Sequence, residues 1–305
     1  METDNILVKH KGFQLSNWLA LCFPAVGEAA IRHSLRSGEV LVNGRVTKHG
    51  GWILQTADKI GFKPNAARLF IAPPNLARAV VLFADKDLLV LDKPAGMLSH
   101  PSPQGKGATI LHCAAQFILE QGKANMQRPF LLHRLDRDTT GVIALARNER
   151  AASILTKAFQ EQRVKKNYIG LAQGVVGPDS GEIDAAIGPT PKLWPRWRIL
   201  EGGAKAVTKY QVVKRFKEHT LLSFAPVTGR THQIRIHAAF LGHPLVGDPV
   251  YRAGKTLVSS LGARRQLLHA QSLTLPHPAT GKEITVAADL PQDLQAALEC
   301  LEREF

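Results

Sequence analysis

Residues 131–147 read LLHRLDRDTTGVIALAR, and His133, Arg134, Asp136, Arg137 and Asp138 fall within six consecutive positions of that stretch. A charged stretch that turns at Thr140-Gly141 into the apolar run Val142-Ile143-Ala144-Leu145-Ala146 reads as a loop feeding a buried strand. Such a frame holds one carboxylate rigidly at a cleft. Asp136 is the candidate. Leu135 precedes it as an apolar anchor, and Arg134 and Arg137 on either side favour its ionised form. A carboxylate so placed acts as a nucleophile or a base. The other reading of the same five charges is a solvated surface turn, whose ion pairs contribute little.

Three further stretches carry polar side chains that could serve the same cleft. Lys166-Asn167-Tyr168 lies in a strand over residues 164–172, where Tyr168 either points into the cleft or packs as an ordinary strand tyrosine. Val227 to His237 reads VTGRTHQIRIH. Its alternation predicts a strand with Arg230, His232 and Arg235 along it, Ile234 and Ile236 facing the core, and His232 and His237 on opposite faces. The flanking isoleucines argue that Arg235 is buried, and a buried arginine requires an acid partner. Arg230 is read either as part of the site or as a phosphate contact on the surface. The third stretch, Gly242 to Tyr251, reads GHPLVGDPVY.

The elements that must position these groups follow from hydrophobic patterning. From Val80, VVLFADKDLLVLDKPAG predicts two apolar strands around the turn Asp85-Lys86-Asp87, ending in Lys93-Pro94-Ala95-Gly96. Residues 109–120 form a helix whose stripe is Ile110, Leu111, Ala114, Phe117 and Ile118. A second helix covers 149–159. Residues 194–206, rich in tryptophan and arginine, fit a mobile loop able to grip single-stranded RNA or a plain surface loop. Residues 266–285 give a strand and hairpin, and an amphipathic helix follows Pro291.

Ahead of this lies a smaller module, from about Gly12 to Lys63. Residues 15–20 and 28–36 have helical spacing, the second with a basic outer face, and Gly38 stops it. Val40-Leu41-Val42, the turn Asn43-Gly44 and a return strand from Arg45 form a hairpin, because Asn-Gly supplies the positive φ angles a tight turn needs. Residues 64–79, with Pro73-Pro74-Asn75, read as linker, which puts a boundary near residue 75.

The 305 residues carry a formal charge of +14, with 45% hydrophobic and 21% charged residues. A chain of this length makes one sizeable core plus a smaller module. The charge points to a polyanionic partner, nucleic acid before membrane. Cys22, Cys113 and Cys300 are too few and too scattered for a disulfide framework or a thiolate zinc site, and the 12 histidines form no HxxxH or HxH clamp. No run reaches the ~18 apolar residues of a membrane span and the start is not a signal peptide, so a cytoplasmic location is expected.

HRLDRDTTG closely resembles HRLDxxTSG, the active-site signature of the RluA-type pseudouridine synthases, which isomerise uridine within RNA; Thr140 stands where that family usually has serine. Lys166-Asn167-Tyr168 resembles the family's lysine-x-tyrosine motif, VTGRTHQIRIH its TGRxHQIRxH motif, and GHPLVGDPVY its GHPxxGDxxY motif. KPAG and LLHAQSLTLPHP match its entry and closing stretches. The resemblance implies an α+β fold with a mixed, largely antiparallel central sheet flanked by helices, over residues 76–305. It also implies that Asp136 attacks the ribose or removes a proton from it, that Arg235 pairs with Asp136 as a bidentate fork, and that Tyr168 stacks on the base and takes the proton from ring carbon 5. Arg134 would fill the gap left by the flipped nucleotide, Leu267 or Leu268 would pack on the base, and Arg137, Arg230 and His232 would be among the RNA contacts. No cofactor or metal is implied, and a monomer is expected.

Helix, helix, glycine, then VLVNG resembles the S-four-type RNA-binding domain, assigned here to residues 1–75 as a small α/β domain with Arg32, Arg36 and Arg45 facing phosphate. Two departures stand out: Gln14-Leu15-Ser16 replaces the usual arginine-leucine-aspartate opening, and Ala57 precedes Asp58 where that motif has glycine. Members with this front domain tend to act on large-subunit ribosomal RNA, so ribosomal RNA is favoured over transfer RNA. The rival readings are a non-catalytic RNA-binding protein, a glycosylase that would release free uracil, and a deaminase that would want zinc ligands.

Overall fold

Tight turns and short apolar runs build the N-terminal part. Strand β1 (Asn5–Leu7) leads to helices α1 (Leu15–Cys22) and α2 (Glu28–Ser37), followed by strands β2 (Val40–Val42), β3 (Arg45–Val46) and β4 (Lys59–Phe62). The strands form an antiparallel sheet in the order β1-β4-β2-β3. Asn43 and Gly44 have φ of +51° and +78°, as the hairpin reading requires. The Asp58 carboxylate stitches this end of the sheet: it accepts from Asn43 Nδ2 and from the Gln55 amide, each at 2.8 Å. Ala57, in the place of the expected glycine, takes a left-handed φ of +71°.

The computed structural model describes residues 5–23, 28–62, 79–100, 109–121, 129–190, 197–251 and 261–303. The linker expected over 64–79 and the boundary near residue 75 fall largely in 63–78, outside the described residues.

The chain continues through β5 (Val80–Ala84), β6 (Leu88–Lys93), α3 (Ile110–Glu120), β7 (Phe130–Leu131), β8 (Thr140–Ala146), α4 (Glu149–Gln160), β9 (Lys165–Gln173), β10 (Ser180–Asp184), β11 (Ile187–Pro189) and β12 (Trp197–Ile199). It then runs through β13 (Val207–Arg215), β14 (His219–Pro226), α5 (Gln233–Phe240), β15 (Leu268–Pro276), β16 (Glu283–Ala287) and α6 (Gln292–Arg303). Among the described residues, ten strands make a mixed sheet with the order β10-β13-β14-β9-β15-β8-β6-β5, β16 adding to β15 and β7 to β8. The β15–β8 pair is parallel, while β9, β13, β14 and β16 pair antiparallel with their neighbours. The fold is α+β, as the resemblance implied.

By its contacts the chain divides into two compact units, Met1–Leu89 with Met97–Arg134 and Ala144–Leu155, and Val90–Gly96 with Leu135–Ile143 and Thr156–Phe305. The first unit's core collects Phe13, Leu15, Trp18 and Leu19 of the α1 region with Ile31, Leu35, Val40, Leu54, Ile60 and Phe62, and α3 adds Ala115 and Ile118. Each of the leucine, isoleucine, valine and phenylalanine side chains among them contributes roughly 1.5–3 kcal/mol on burial. In the second unit Leu171, Leu221, Val246 and Leu267 pack against Leu294, Ala297 and Leu301 of α6.

Two expectations are corrected. Residues 228–237 are not a strand: Gln233–Phe240 is helix α5, entered through His232 at φ +56°. Every residue from Gln233 to Ala238 is buried, so no polar stripe marks a helical period, and Ile234 and Ile236 mimic the alternation of a strand. A buried polar network sets the helix. Gln233 Oε1 accepts from Thr228 Oγ1 and the Arg230 amide, and its Nε2 donates to Val207 O and Thr208 Oγ1. His237 Nε2 lies 3.0 Å from Ala185 O, which can only accept, so the ring takes the Thr208 hydroxyl proton at Nδ1 (2.9 Å). The described part of 194–206 is not only loop: β12 pairs with β11, and Trp197 packs against the Ile187, Ala206 and Ile236 cluster.

Backbone geometry gives two stability tests of opposite sign. A Cβ on Gly141 (φ +110°) would drive into Ala270 O and lie 2.7 Å from Ala270 N, so Gly141→Ala is expected to cost at least about 3 kcal/mol in urea unfolding. Ala57→Gly, which removes a Cβ from a left-handed residue, is expected to stabilise by about 1 kcal/mol in the same measurement.

Candidate active site

The second unit holds Asp136, Tyr168, His232, Arg235, Asp248 and Tyr251. Asp136 sits on a loop fixed from several directions. Leu135 is buried, and the Thr139 amide donates to Asp136 O at 3.1 Å. Lys93 Nζ, at the end of β6, donates to Arg137 O and Pro94 O, each at 2.9 Å. From the other side Arg265 Nη1 donates to Asp138 O at 3.0 Å and to the carbonyls of Gln266 and Leu268. The same guanidinium forks onto Asp293 at the start of α6 at 2.6 and 2.7 Å. The Thr140 hydroxyl lies in hydrogen-bond contact with His269 Nδ1 at 2.9 Å.

Arg235 is the hub. Its Nε and Nη2 fork onto Asp248 at 2.7 and 3.0 Å, and its Nη1 donates to Asp136 Oδ2 at 3.1 Å. The expected fork therefore goes to Asp248, and Arg235 gives Asp136 one hydrogen bond. Side-chain exposure grades outward, from 0% at Asp248 and 5% at Arg235 to 24% at Asp136. Asp248 Oδ1 also accepts the amides of Val250 and Tyr251. Burial would raise the Asp248 carboxyl, but the hydrogen bonds and charge of Arg235 and those two amides hold it below its ordinary value. Burial likewise works against the Arg235 charge, and Asp248 and then Asp136 more than restore it.

The rest of the wall is aromatic. The Arg235 guanidinium lies 5.2 Å from the centre of the Tyr251 ring, a cation–π contact. His232 Nδ1 is 2.9 Å from Tyr251 Oη, and its Nε2 is 4.0 Å from Asp136 Oδ2. Its left-handed backbone costs about 1–2 kcal/mol, the kind of local strain found at functional sites. Tyr168 is buried on β9 between β14 and β15, and burial, then the Asp136 charge, push its phenol above the ordinary range. Two positions before it, Lys166 Nζ donates to Thr228 O at 3.2 Å and ties β9 to the turn ahead of α5.

The remaining expected residues fall as follows. Arg137 does not pair with Asp136: it turns outward and donates from Nε and Nη2 to the one oxygen Asp138 Oδ2, at 3.2 and 3.1 Å. Arg230 is exposed and donates to Lys205 O. Leu268 is buried, its Cδ1 beside Gly170 of β9, whereas Leu267 belongs to the α6 core. Arg134, Arg32, Arg36 and Arg45 are exposed. Asp248, Tyr251, Lys93 and Arg265 had no assigned role. For Asp248 a signal existed: a buried guanidinium has five N–H groups, one carboxylate cannot satisfy them, and Asp248 lies inside the GHPLVGDPVY motif.

Residues 87–240 match the family model described as RNA pseudouridylate synthase. The chain belongs to that family. It is thus an isomerase that makes pseudouridine in RNA. An RNA pseudouridine synthase of Synechocystis is 32% identical over 99% of this chain and 93% of its own length. The ribosomal large subunit pseudouridine synthase D of Xanthomonas campestris is 34% identical over 94% of this chain and 88% of its own. Among solved structures, human RNA pseudouridylate synthase domain containing 4 superposes with a TM-score of 0.60 at 27% identity, covering 73% of this synthase and 93% of that chain. Among the described residues of this synthase no His, Cys, Asp and Glu side chains group as a metal site needs, and no helix is long and apolar enough to cross a membrane.

Lys93 supplies a pH test of the loop's anchorage. Burial pushes its amine from an ordinary 10.5 down to about 8, against the raising charges of Asp138 and Asp136. The unfolded chain therefore binds more protons than the folded one between those values, so stability rises with pH across that window. Relative to Lys93→Met, the wild type is expected to gain up to roughly 1.4 kcal/mol per pH unit there, with no further relative change below it, as read from urea unfolding at a series of pH values.

Proposed function

We propose that this synthase isomerises uridines of large-subunit ribosomal RNA, with Asp136 as the group that engages the ribose. One observation carries the reading: a carboxylate open to solvent on one side is gripped on the other by a buried guanidinium that a second carboxylate holds in place. The reaction breaks the bond between ribose carbon 1′ and the ring nitrogen, turns the uracil and rebonds it through ring carbon 5. It moves protons but no electrons to or from an outside acceptor. Arg235 aims Asp136. Tyr168 borders the base, and Leu268 packs beside it. The raised phenol stays protonated at neutral pH, so Tyr168 handles the proton from ring carbon 5 in concert with a partner, and the carboxylate whose charge bears on it is Asp136.

Reaching carbon 1′ inside a folded RNA means flipping the nucleotide out, at a cost of a few kcal/mol. Arg134 is assigned to the vacated gap, and Arg137, Arg230 and His232 to RNA near the target. The N-terminal sheet with α1 and α2 is read as an S-four-type RNA-binding domain, its exposed Arg32, Arg36 and Arg45 on the phosphate side. The net charge of +14 supports an affinity dominated by phosphate contacts and steeply weakened by salt. The ribosomal target rests on two supports: the resemblance of the front domain, and the printed name of the Xanthomonas campestris relative.

Asp136→Asn is expected to reduce pseudouridine formation at least about a thousandfold while leaving RNA affinity within about twofold, since it removes charge but little shape. Pseudouridine is read by nuclease digestion and chromatography of the treated RNA; retained product in this variant would overturn the assignment. Mapping pseudouridines in ribosomal and transfer RNA from cells with and without the protein is expected to show sites lost from large-subunit RNA. Losses confined to transfer RNA would overturn the target.

A further inference from the structure

Beside Asp136 stands a ring whose orientation the structure over-determines. His232 is the N-cap residue of α5, in a left-handed conformation, with its ring edge-on to Tyr251 at 5.7 Å between centres. Tyr251 Oη accepts the Trp197 amide at 3.3 Å, and its own proton can turn to His232 Nδ1, 2.9 Å away. A neutral histidine so placed carries its proton on Nε2. That nitrogen lies 4.0 Å from Asp136 Oδ2, too far for a direct hydrogen bond, and both side chains are partly open to solvent, His232 at 21% and Asp136 at 24%.

We propose that His232 reads the ribose 2′-hydroxyl of the target nucleotide and thereby makes the site select ribonucleotides over deoxyribonucleotides. This rests on the reading of Asp136 as the ribose-engaging group. An oxygen about 2.8 Å from each of two atoms 4.0 Å apart fits between them at an angle near 90°. The polarity also fits. The hydroxyl accepts from His232 Nε2–H and donates to Asp136 Oδ2, whereas two carboxylates or two donors would leave it half-satisfied. Whether Asp136 works at carbon 1′ or carbon 2′, the 2′-oxygen is one or two bonds from the reacting atom. In glycoside hydrolysis, hydrogen bonds to the sugar's 2-hydroxyl strengthen in the transition state. The 2′-hydroxyl is also the group by which a protein tells RNA from DNA at one nucleotide.

The test uses the full-length enzyme and an RNA stem-loop built around a uridine mapped by the cell comparison above, with either uridine or 2′-deoxyuridine at that position. Single-turnover rates are measured for the wild type, for His232→Asn and for Tyr251→Phe. Asparagine tolerates the left-handed backbone but is too short to place a donor at the Nε2 position. His232→Asn is expected to slow the uridine RNA roughly tenfold and the deoxyuridine RNA less than about twofold, because the contact is already missing from the latter. Tyr251→Phe, which removes the hydroxyl that fixes the ring's tautomer, is expected to act in the same direction and more weakly. If the deoxyuridine RNA is not turned over, the ratio of the two RNAs' Kd values in an Asp136→Asn background gives the same comparison, and the ratio is expected to shrink when His232→Asn is added. Equal slowing of both RNAs, or no effect on either, would overturn the role of His232. Failure of the underlying reading shows separately, as product from Asp136→Asn on the uridine RNA.

Discussion

A single buried guanidinium governs the geometry of this protein's site. Arg235 is sandwiched between a carboxylate with no solvent exposure and one that is a quarter exposed, with the face of Tyr251 as a further wall. Burying such a charge costs several kcal/mol, and the attraction of Asp248 roughly offsets that cost only because both ends of the fork are made and the carboxylate's remaining lone pairs take two backbone amides. The pair therefore adds little net stability. What it supplies is direction: with Nε and Nη2 committed to Asp248, Nη1 can point only one way, and Asp136 is held at the end of it. The two aspartates differ in what they face, the buried one fixing the arginine and the other open to solvent on one side.

The backbone around Asp136 explains why that aim is not lost to loop motion. Lys93 and Arg265 donate to the carbonyls of Arg137 and Asp138, the two residues that follow the aspartate, and they reach the loop from β6 and from the segment ahead of β15. Arg265 is itself pinned by Asp293, so α6 at the far end of the sequence is mechanically part of the site. Behind the loop, β8 lies parallel to β15 with Gly141 so close to Ala270 that a methyl group has no room. These contacts cost side-chain entropy in a lysine and an arginine, which surface residues of the same type would keep. The return is a carboxylate whose position is set by rigid strands, although it sits on a turn.

How much of this was legible in the sequence depends on whether the signal was local. The hairpin at Asn43-Gly44, the strand after Thr140, the helices at 109–120 and 149–159 and the terminal helix all follow from turn residues and periodicity, and all are present. Helix α5 was not legible, since six consecutive buried residues erase the polar stripe that would reveal a helical period, and the isoleucines at 234 and 236 imitate a strand. The site behaved alike. Asp136, Tyr168, His232 and Arg235 were named from motifs, but the fork to Asp248 and the clamps from Lys93 and Arg265 are long-range pairings that no local window contains. Arg137 shows the converse: its nearness to Asp136 in sequence suggested a partner, and the neighbouring Asp138 took it instead.

The grading of exposure across Asp248, Arg235 and Asp136 also bears on how binding and chemistry are coupled. With one face of Asp136 open, water screens its charge in the free enzyme, and the hydrogen bond from Arg235 is at its weakest there. A nucleotide that covers the opening removes that water, so the same 3.1 Å contact strengthens in the complex without any residue moving. The inner pair feels no such change, because Asp248 is already dry. Substrate occupancy therefore acts on the outer member of the triad alone. On the proposed reading of Asp136, a buried pair behind an exposed carboxylate is thus a way to let the binding energy of the nucleotide be felt at the group assigned to the ribose, while the frame that aims it stays as folded.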